Sequence, residues 1–311
     1  MLSLRVLLVA LACSLGIPAQ AQLYSDDELA SARRQSVNVA RMLTEDIVAT
    51  LPRAERARAA SVRAEFPIRV DGNPLGMFAQ PATGTVFVPL ETLRFLDDYG
   101  VLLAWDNLHG CESGFIDTYL YALLREGRAL PPPLTAFGID REAALADPAI
   151  DGLSADILKT QVFFLLSHEL GHILLGHDTV LHGAESRRQE LEADDFALDR
   201  FAALGTMPLG MASWFYAARY VDPTGVAVAA ATHPVFSERL RAFADRLARD
   251  ADNFSFAEPD YPAARKRVAY VVNELHSLAR LGEDEEMLTL MPQGLLSLFP
   301  LSGLGTACNP A

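Results

Sequence analysis

The distribution of apolar residues predicts one long buried helix near the middle of the chain. Residues 154–177 are apolar on nearly every face, which is typical of a helix enclosed by protein. Ser154 is a suitable N-cap, and Gly176 can end the helix in the left-handed conformation. The stretch nevertheless contains two histidines and a glutamate, whose burial is costly without partners. The pattern therefore indicates a core helix that carries a polar site.

Helical periodicity extends over much of the remaining chain. The first helical stretch opens with a capping-box pattern, in which Ser25 is followed three positions later by Glu28. Pro52 is expected to interrupt this stretch, because proline lacks the amide hydrogen that a helix interior needs. The predicted helical ranges are 25–64, 90–108, 114–126, 154–177, 185–204, 208–221, 234–249 and 262–281.

A small β-sheet is predicted ahead of the central helix. Three short segments, at 68–70, 77–79 and 85–89, have strand character and are separated by turns rich in Gly and Pro. A free edge of this sheet could pair with an extended peptide, or the strands could form an ordinary structural hairpin. Residues 127–153 are rich in Pro, Gly and Asp, which indicates a long surface loop. The predicted fold class is α+β, mostly α-helical.

The composition is that of a globular, acidic chain. Half of the 311 residues are hydrophobic, which allows a substantial core and argues against disorder. The formal net charge of −14 argues against nucleic acid as a partner, because phosphate binding needs basic patches. The same charge has a simpler role in keeping the chain soluble.

Residues 1–21 have the features of an export signal. A positively charged N-terminal region and a short apolar run precede Ala-Gln-Ala, a small-residue cleavage site that ends at Ala21. Cleavage there would make Gln22 the first residue of the mature chain. A lipoprotein site at Cys13 is the less favoured alternative. No later segment is predicted to cross a membrane, so we expect an exported protein that is periplasmic or secreted.

Two cysteines remain after removal of the signal, Cys111 and Cys308. In an oxidising compartment they could pair and fix the C-terminal tail to the middle of the chain. Two free buried thiols are the other interpretation, and the sequence leaves both open.

The buried helix contains the sequence HELGH, with His168, Glu169 and His172. Residues four apart lie on one face of a helix, so both imidazoles can reach the same metal ion. Catalytic zinc uses three protein ligands and a water, and Glu169 is placed to take a proton from that water. This H-E-x-x-H spacing is typical of a zinc metalloprotease helix.

The helix predicted at 185–204 can supply the missing third ligand. Its acidic residues stand among apolar ones, which places part of the helix in the core. Glu190 can then reach the metal, and Asp194, one turn later, can accept a hydrogen bond from a ligand imidazole. His177 lies off the ligand face, so we expect it beside the site or at the surface.

Four stretches together resemble a known family. They are HELGH at 168–172, the E-x-x-A-D pattern at 190–194, the strand at 84–88, and Thr-His-Pro at 232–234 followed by Arg239. In this order they are similar to the HtpX-like and CAAX-prenyl-endopeptidase-like zinc metallopeptidases, a branch of the gluzincins. The resemblance covers about residues 66–240, and the absence of predicted membrane helices makes the chain similar to the soluble, exported members.

We predict a single metallopeptidase domain over 22–311, with the zincin-like fold that the resemblance implies. Within it we expect an N-terminal helical region at 22–65, a catalytic core at 66–250, and a C-terminal helix and tail at 251–311. The core contains an unusually long insertion, 90–153, between the small sheet and the metal helix.

The resemblance also implies the chemistry of peptide hydrolysis on a polypeptide substrate. One zinc ion per chain would be held by His168, His172 and Glu190, and Glu169 would act as the catalytic base.

Two further residues are candidates for the catalytic set, and two other functions remain open. His233 or Arg239 could stabilise the tetrahedral oxyanion. A non-proteolytic or latent zinc-bound chaperone or assembly factor could use the same scaffold, with His233 as a fourth ligand that plugs the site. An ImmA-like regulatory peptidase shares H-E-x-x-H and an acidic helix, but such proteins act inside the cell, against the export signal.

Overall fold

The computed structural model describes residues 22–70, 73–177, 184–221, 237–283 and 294–308. The helices are α1 (Ala30–Arg41), α2 (Val48–Thr50), α3 (Arg53–Ala59), α4 (Leu90–His109), α5 (Ser113–Leu120), α6 (Pro133–Ala136), α7 (Arg141–Leu145), α8 (Pro148–Leu175), α9 (Ala184–Leu204), α10 (Leu209–Ala218), α11 (Ser237–Arg249) and α12 (Tyr261–Leu281). Two π-helical segments, Met42–Ile47 and Tyr121–Arg125, continue α1 and α5. Together with three short strands, these elements confirm the predicted α+β class, mostly α-helical.

The three strands form one small sheet in the order β1, β3, β2. They are β1 (Arg63–Glu65), β2 (Phe78–Gln80) and β3 (Thr85–Phe87). The central strand β3 pairs parallel with β1 and antiparallel with β2. The turn between β2 and β3 is short, so these two antiparallel strands form a hairpin.

The first strand differs from the prediction. The segment at 68–70 is not a strand, and β1 lies earlier, in the stretch predicted to be helical up to residue 64. The carbonyls of Pro67 and Ile68 accept hydrogen bonds from the first amides of α4, at 2.8 and 3.1 Å. This segment therefore caps a helix instead of joining the sheet. The strand itself is too short and too polar to give a periodic signal.

The N-terminal region has the helix start and the helix interruption that the sequence predicted. Ser25 N donates to Glu28 Oε2 at 2.7 Å, and Glu28 N donates to Ser25 Oγ at 3.3 Å, which is the reciprocal geometry of a capping box. Pro52 separates α2 from α3, as expected for a residue that cannot continue a helix.

Residues 127–153 are not one long loop, and this prediction is wrong. They contain α6, α7 and the first turns of α8. Asp140 and Asp147 cap α7 and α8 by accepting from Ala143 N and Ala149 N, at 2.7 and 2.8 Å. The Asp and Pro residues that suggested a loop are therefore helix-start signals.

The central helix α8 is longer than predicted at its N-terminal end. It begins at Pro148, so Ser154 lies inside the helix and is not its N-cap. Gly176 ends the helix as predicted, with φ of +71°. The helix packs against α4, α9 and α10 and lies in the middle of the apolar core. Among the described residues, no helix combines the length and apolarity needed to cross a bilayer.

A disulfide joins Cys111 to Cys308, so the pairing that the sequence left open is present. The chain around it is also fixed by hydrogen bonds. Glu112 N donates to Ala307 O at 3.2 Å, and the Trp105 indole donates to Cys308 O at 3.4 Å. The C-terminal tail is therefore attached to the end of α4 and the start of α5.

Candidate active site

Two histidines of α8 face the same point in the protein interior. His168 and His172 lie one helical turn apart, and their Nε2 atoms are 3.0 Å from each other. The side chains are buried, with exposed fractions of 2% and 8%. Two imidazoles in this arrangement offer two nitrogen lone pairs to one ion.

Glu190 of α9 completes a group of three donors. Its Oε2 lies 3.4 Å from His168 Nε2, and its Oε1 lies 3.4 Å from His172 Nε2. Among the described residues, these three side chains form the one group of His, Cys, Asp or Glu arranged to hold a metal ion. The residues predicted from the sequence as ligands are thus brought together.

Close packing of α9 on α8 places Glu190 at the histidines. Gly171 lies between the two histidines, and a Cβ atom there would be 3.3 Å from Ala193 Cα and 3.2 Å from the Phe196 ring. Small residues on both helices therefore allow the backbones to approach. A larger residue at position 171 would push α9, and the Glu190 carboxylate with it, away from the imidazoles.

The donor geometry fits zinc. Zinc–nitrogen and zinc–oxygen bonds of about 2.0–2.1 Å in a tetrahedron place ligand atoms about 3.3 Å apart. The three donor-to-donor distances are 3.0, 3.4 and 3.4 Å. Two His nitrogens and one carboxylate are also a donor set found at catalytic zinc sites that leave one position open.

Both imidazoles have a buried partner on the side away from this point. His168 Nδ1 lies 2.9 Å from Asp194 Oδ1, as the sequence predicted for a residue one turn after Glu190. His172 Nδ1 lies 2.9 Å from His177 Nδ1, and His177 Nε2 lies 3.1 Å from Glu192 Oε2. The ring orientations of both histidines are therefore fixed by neighbouring side chains.

Arg239 of α11 connects the carboxylates of α9. Its Nε and Nη2 contact the two oxygens of Asp194 at 2.6 and 2.8 Å, and its Nη1 lies 2.9 Å from Glu190 Oε2. The guanidinium is buried and lies over the rings of Trp214 and Phe215. Arg239 thus belongs to the site, in contact with both the carboxylate of the donor group and the partner of His168.

The electrostatics of the site favour a cation. Burial opposes ionisation of Asp194, but Arg239 and His168 outweigh it and hold the pKa of this carboxyl below its usual value. Burial likewise lowers the pKa of His168, but hydrogen bonds to Asp194 and Glu190 outweigh it and raise the pKa to about 9. The acidic surroundings therefore stabilise positive charge at His168.

A count of formal charges leads to the same conclusion. Glu169, Glu190 and Asp194 are each at most 4% exposed, and Arg239 is the buried cation among them. The described buried groups here thus include three carboxylates and one guanidinium beside the two imidazoles. Buried carboxylates need positive partners, so the donor group is suited to a bound cation.

The remaining predicted residues are placed to different degrees. Glu169 adjoins His168 on α8 and is 1% exposed. Burial lowers the pKa of the Arg239 guanidinium, but Asp194, Glu190 and, less strongly, Glu169 outweigh it and raise that pKa. The catalytic role of Glu169 stays a prediction. His233 lies outside the described residues. The sequence left the place of His177 open, and did not single out its contact with Glu192. His177 follows the end of α8, and its contact with a residue fifteen positions later follows no periodic rule.

The family comparison covers the same part of the chain. Residues 123–259 match the model of the family Peptidase U49. The chain is similar to a peptidase family. The matched range includes α8, α9 and α11, and with them every described residue of the site. This similarity supports a peptidase, and thus a hydrolase that acts on polypeptides. No curated protein and no solved structure matches the chain significantly.

Proposed function

We propose that this protein is a zinc-dependent endopeptidase with Glu169 as the general base. The observation that carries the proposal is the convergence of His168, His172 and Glu190 within 3.4 Å of one another. This group lies inside a chain segment similar to a peptidase family. The H-E-x-x-H spacing on a buried helix supports the same reaction class.

His168, His172 and Glu190 would hold one zinc ion per chain through two nitrogens and a carboxylate. A zinc ion bound there would act as a Lewis acid, which polarises the scissile carbonyl and activates water for attack. Asp194 and His177 hold the two imidazoles in the orientation that ligation needs.

Glu169 would take the proton from the attacking water and later deliver it to the leaving amine. Its position next to a ligand, without belonging to the donor group, suits this role. Arg239 already contacts Glu190 and Asp194, so we assign it to positioning these carboxylates. His233 then remains our candidate for stabilising the oxyanion.

We further propose that the enzyme acts in the cell envelope. The Cys111–Cys308 disulfide supports export, because such bonds persist mainly in oxidising compartments. The features of residues 1–21 point in the same direction. The HtpX-like and CAAX-prenyl-endopeptidase-like family, as a soluble exported member, remains our proposal for the finer relationship.

The experiment that tests the function compares wild type with Glu169→Gln on an unfolded substrate such as casein. The amide cannot accept the proton, so hydrolysis should fall by about 10²–10⁴-fold. Zinc content must be matched by metal analysis, since lost metal would imitate a lost base. Glu274→Gln, an exposed change on α12, serves as the control and should keep full activity.

Three outcomes separate the possibilities. A large loss in Glu169→Gln at equal zinc supports the mechanism. Equal cleavage rates at equal zinc would show that another group activates the water. Zinc binding by wild type without cleavage of any unfolded substrate would favour the chaperone or assembly-factor alternative.

A further inference from the structure

His177 lies directly behind one of the proposed metal ligands. The residue is buried, and its Nδ1 lies 2.9 Å from His172 Nδ1. On its other side, His177 Nε2 lies 3.1 Å from Glu192 Oε2. The three side chains thus form a continuous series from the donor group to a carboxylate that is 43% exposed.

His177 is not itself placed to bind the ion. The donor group uses His172 Nε2, which lies 3.0 Å from His168 Nε2. His177 contacts Nδ1, the opposite nitrogen of the same ring. Its influence on a metal must therefore pass through His172.

The contacts define which nitrogen carries each hydrogen. A metal bound at His172 Nε2 would take that lone pair, so the ring hydrogen would sit on Nδ1 and donate to His177 Nδ1. His177 Nδ1 must then accept, and its own hydrogen sits on Nε2. That hydrogen is donated to the Glu192 carboxylate, which fixes the tautomer of both rings.

We propose that His177 and Glu192 are positioning residues that hold His172 in its metal-binding tautomer. The inference rests on the metal centre of the proposed function. The two ligand histidines are then supported in different ways: His168 by Asp194 directly, and His172 by a carboxylate reached through a second imidazole. Such outer partners orient ligands and increase their basicity.

Glu192 is itself held in place for this task. Arg188, one turn earlier on α9, pairs with Glu192 Oε1, while Glu192 Oε2 faces His177. Arg188 also pairs with Glu185 at the start of the helix. One oxygen of Glu192 is thus anchored at the surface, and the other is directed inward to the histidine.

The test measures zinc affinity by competition with a chromogenic chelator, and the absorption spectrum of the cobalt-substituted protein. His177→Leu removes both hydrogen bonds and should weaken zinc binding by about 10–100-fold. His177→Gln keeps an acceptor and a donor and should restore most of that affinity. Glu192→Ala alone should cause a smaller loss of zinc affinity. In a protein that already carries His177→Leu, adding Glu192→Ala should cause no further loss.

Matched controls separate this effect from general damage. His276→Leu and Glu274→Ala make the same chemical changes on α12 and should leave zinc affinity and the cobalt spectrum unchanged. Thermal unfolding of the metal-free variants reports whether each one folds. If His177→Leu does not fold, the Glu192→Ala and His177→Gln proteins decide the question.

The outcomes distinguish this inference from the proposed function. Wild type that binds no zinc would overturn both. Wild type that binds zinc, with His177→Leu or Glu192→Ala equally tight, would overturn the positioning role alone. A folded His177→Gln protein as weak as His177→Leu would also overturn it, because the hydrogen bonds would then not be the cause.

Discussion

Arg239 and Asp194 form a bidentate ion pair in the protein interior, with nitrogen–oxygen distances of 2.6 and 2.8 Å. The pair joins α11 to α9 across 45 positions of the chain. Because Asp194 also contacts His168, this pair links the backbone packing of two helices to the orientation of a proposed metal ligand.

Replacing Arg239 should therefore damage both stability and metal binding. Arg239→Met leaves Glu190 and Asp194 buried without their cation, and breaking a buried pair costs about 3–5 kcal/mol of unfolding free energy. Arg239→Lys should recover only part of this loss, because an ammonium cannot make the two parallel bonds. Denaturant unfolding of the metal-free proteins measures the effect.

Arg249 on the same helix gives the matched comparison. Its side chain is 64% exposed and pairs with Asp250 at 3.3 Å. Arg249→Met should change the unfolding free energy by less than about 1 kcal/mol. Equal effects at both arginines would contradict the role assigned to the buried pair.

Glu190→Gln should weaken zinc binding, because the amide is a poorer ligand than the carboxylate. The variant keeps the size of the side chain, so the helices should stay in place. Metal analysis after dialysis against a weak chelator measures the loss, and Glu185→Gln at the exposed start of α9 is the control. Undiminished zinc affinity in a folded Glu190→Gln protein would mean that another residue is the third ligand.

Gly210 should tolerate no side chain. A Cβ there would lie 2.1 Å from Ile157 O and 2.7 Å from Gln161 N, so α10 would have to move away from α8. Overpacking of this kind costs about 1–3 kcal/mol or more, and Gly210→Ala should lower the unfolding free energy accordingly.

For Gly152, on α8 itself, we expect a side chain to be tolerated, in contrast to Gly210. A Cβ at this position meets nothing within 4 Å. Alanine is the better helix former by about 0.5–1 kcal/mol, so Gly152→Ala should stabilise the protein. Thermal and denaturant unfolding of the two variants should give changes of opposite sign, and a loss of stability in both would refute the packing argument.

Reducing the Cys111–Cys308 bond should destabilise the fold. The bond closes a loop with a sequence separation of 197, and a disulfide typically contributes about 2–4 kcal/mol to stability. Unfolding of wild type should shift with reductant, whereas a Cys111→Ser, Cys308→Ser protein should not respond. A wild type indifferent to reductant, with both thiols reactive before treatment, would show that the bond does not form.

The sequence predicts the site better than the details of the fold. The H-E-x-x-H motif predicts the geometry of its two histidines directly. A four-residue spacing on a helix places His168 and His172 on the same face, whatever surrounds them. Glu190 and Asp194 follow the same rule on a second helix. The strand β1 could not be found this way, because three residues are too few to show a period and their pairing depends on a distant partner, β3.

The helices within 127–153 were missed for a different reason. Asp and Pro begin helices as readily as they form loops, and only the packing of the following turns decides between the two. The contact of His177 with Glu192 also depends on how α9 packs on the end of α8, which no local pattern encodes.

The disulfide between Cys111 and Cys308 also affects how the protein responds to cleavage by other proteases. Every residue of the proposed centre, from His168 to Arg239, lies between Cys111 and Cys308. A single backbone cut anywhere in that span leaves two pieces that remain one molecule. A nicked enzyme could therefore keep its ligand-bearing helices together, and gel electrophoresis would reveal the cut only after reduction.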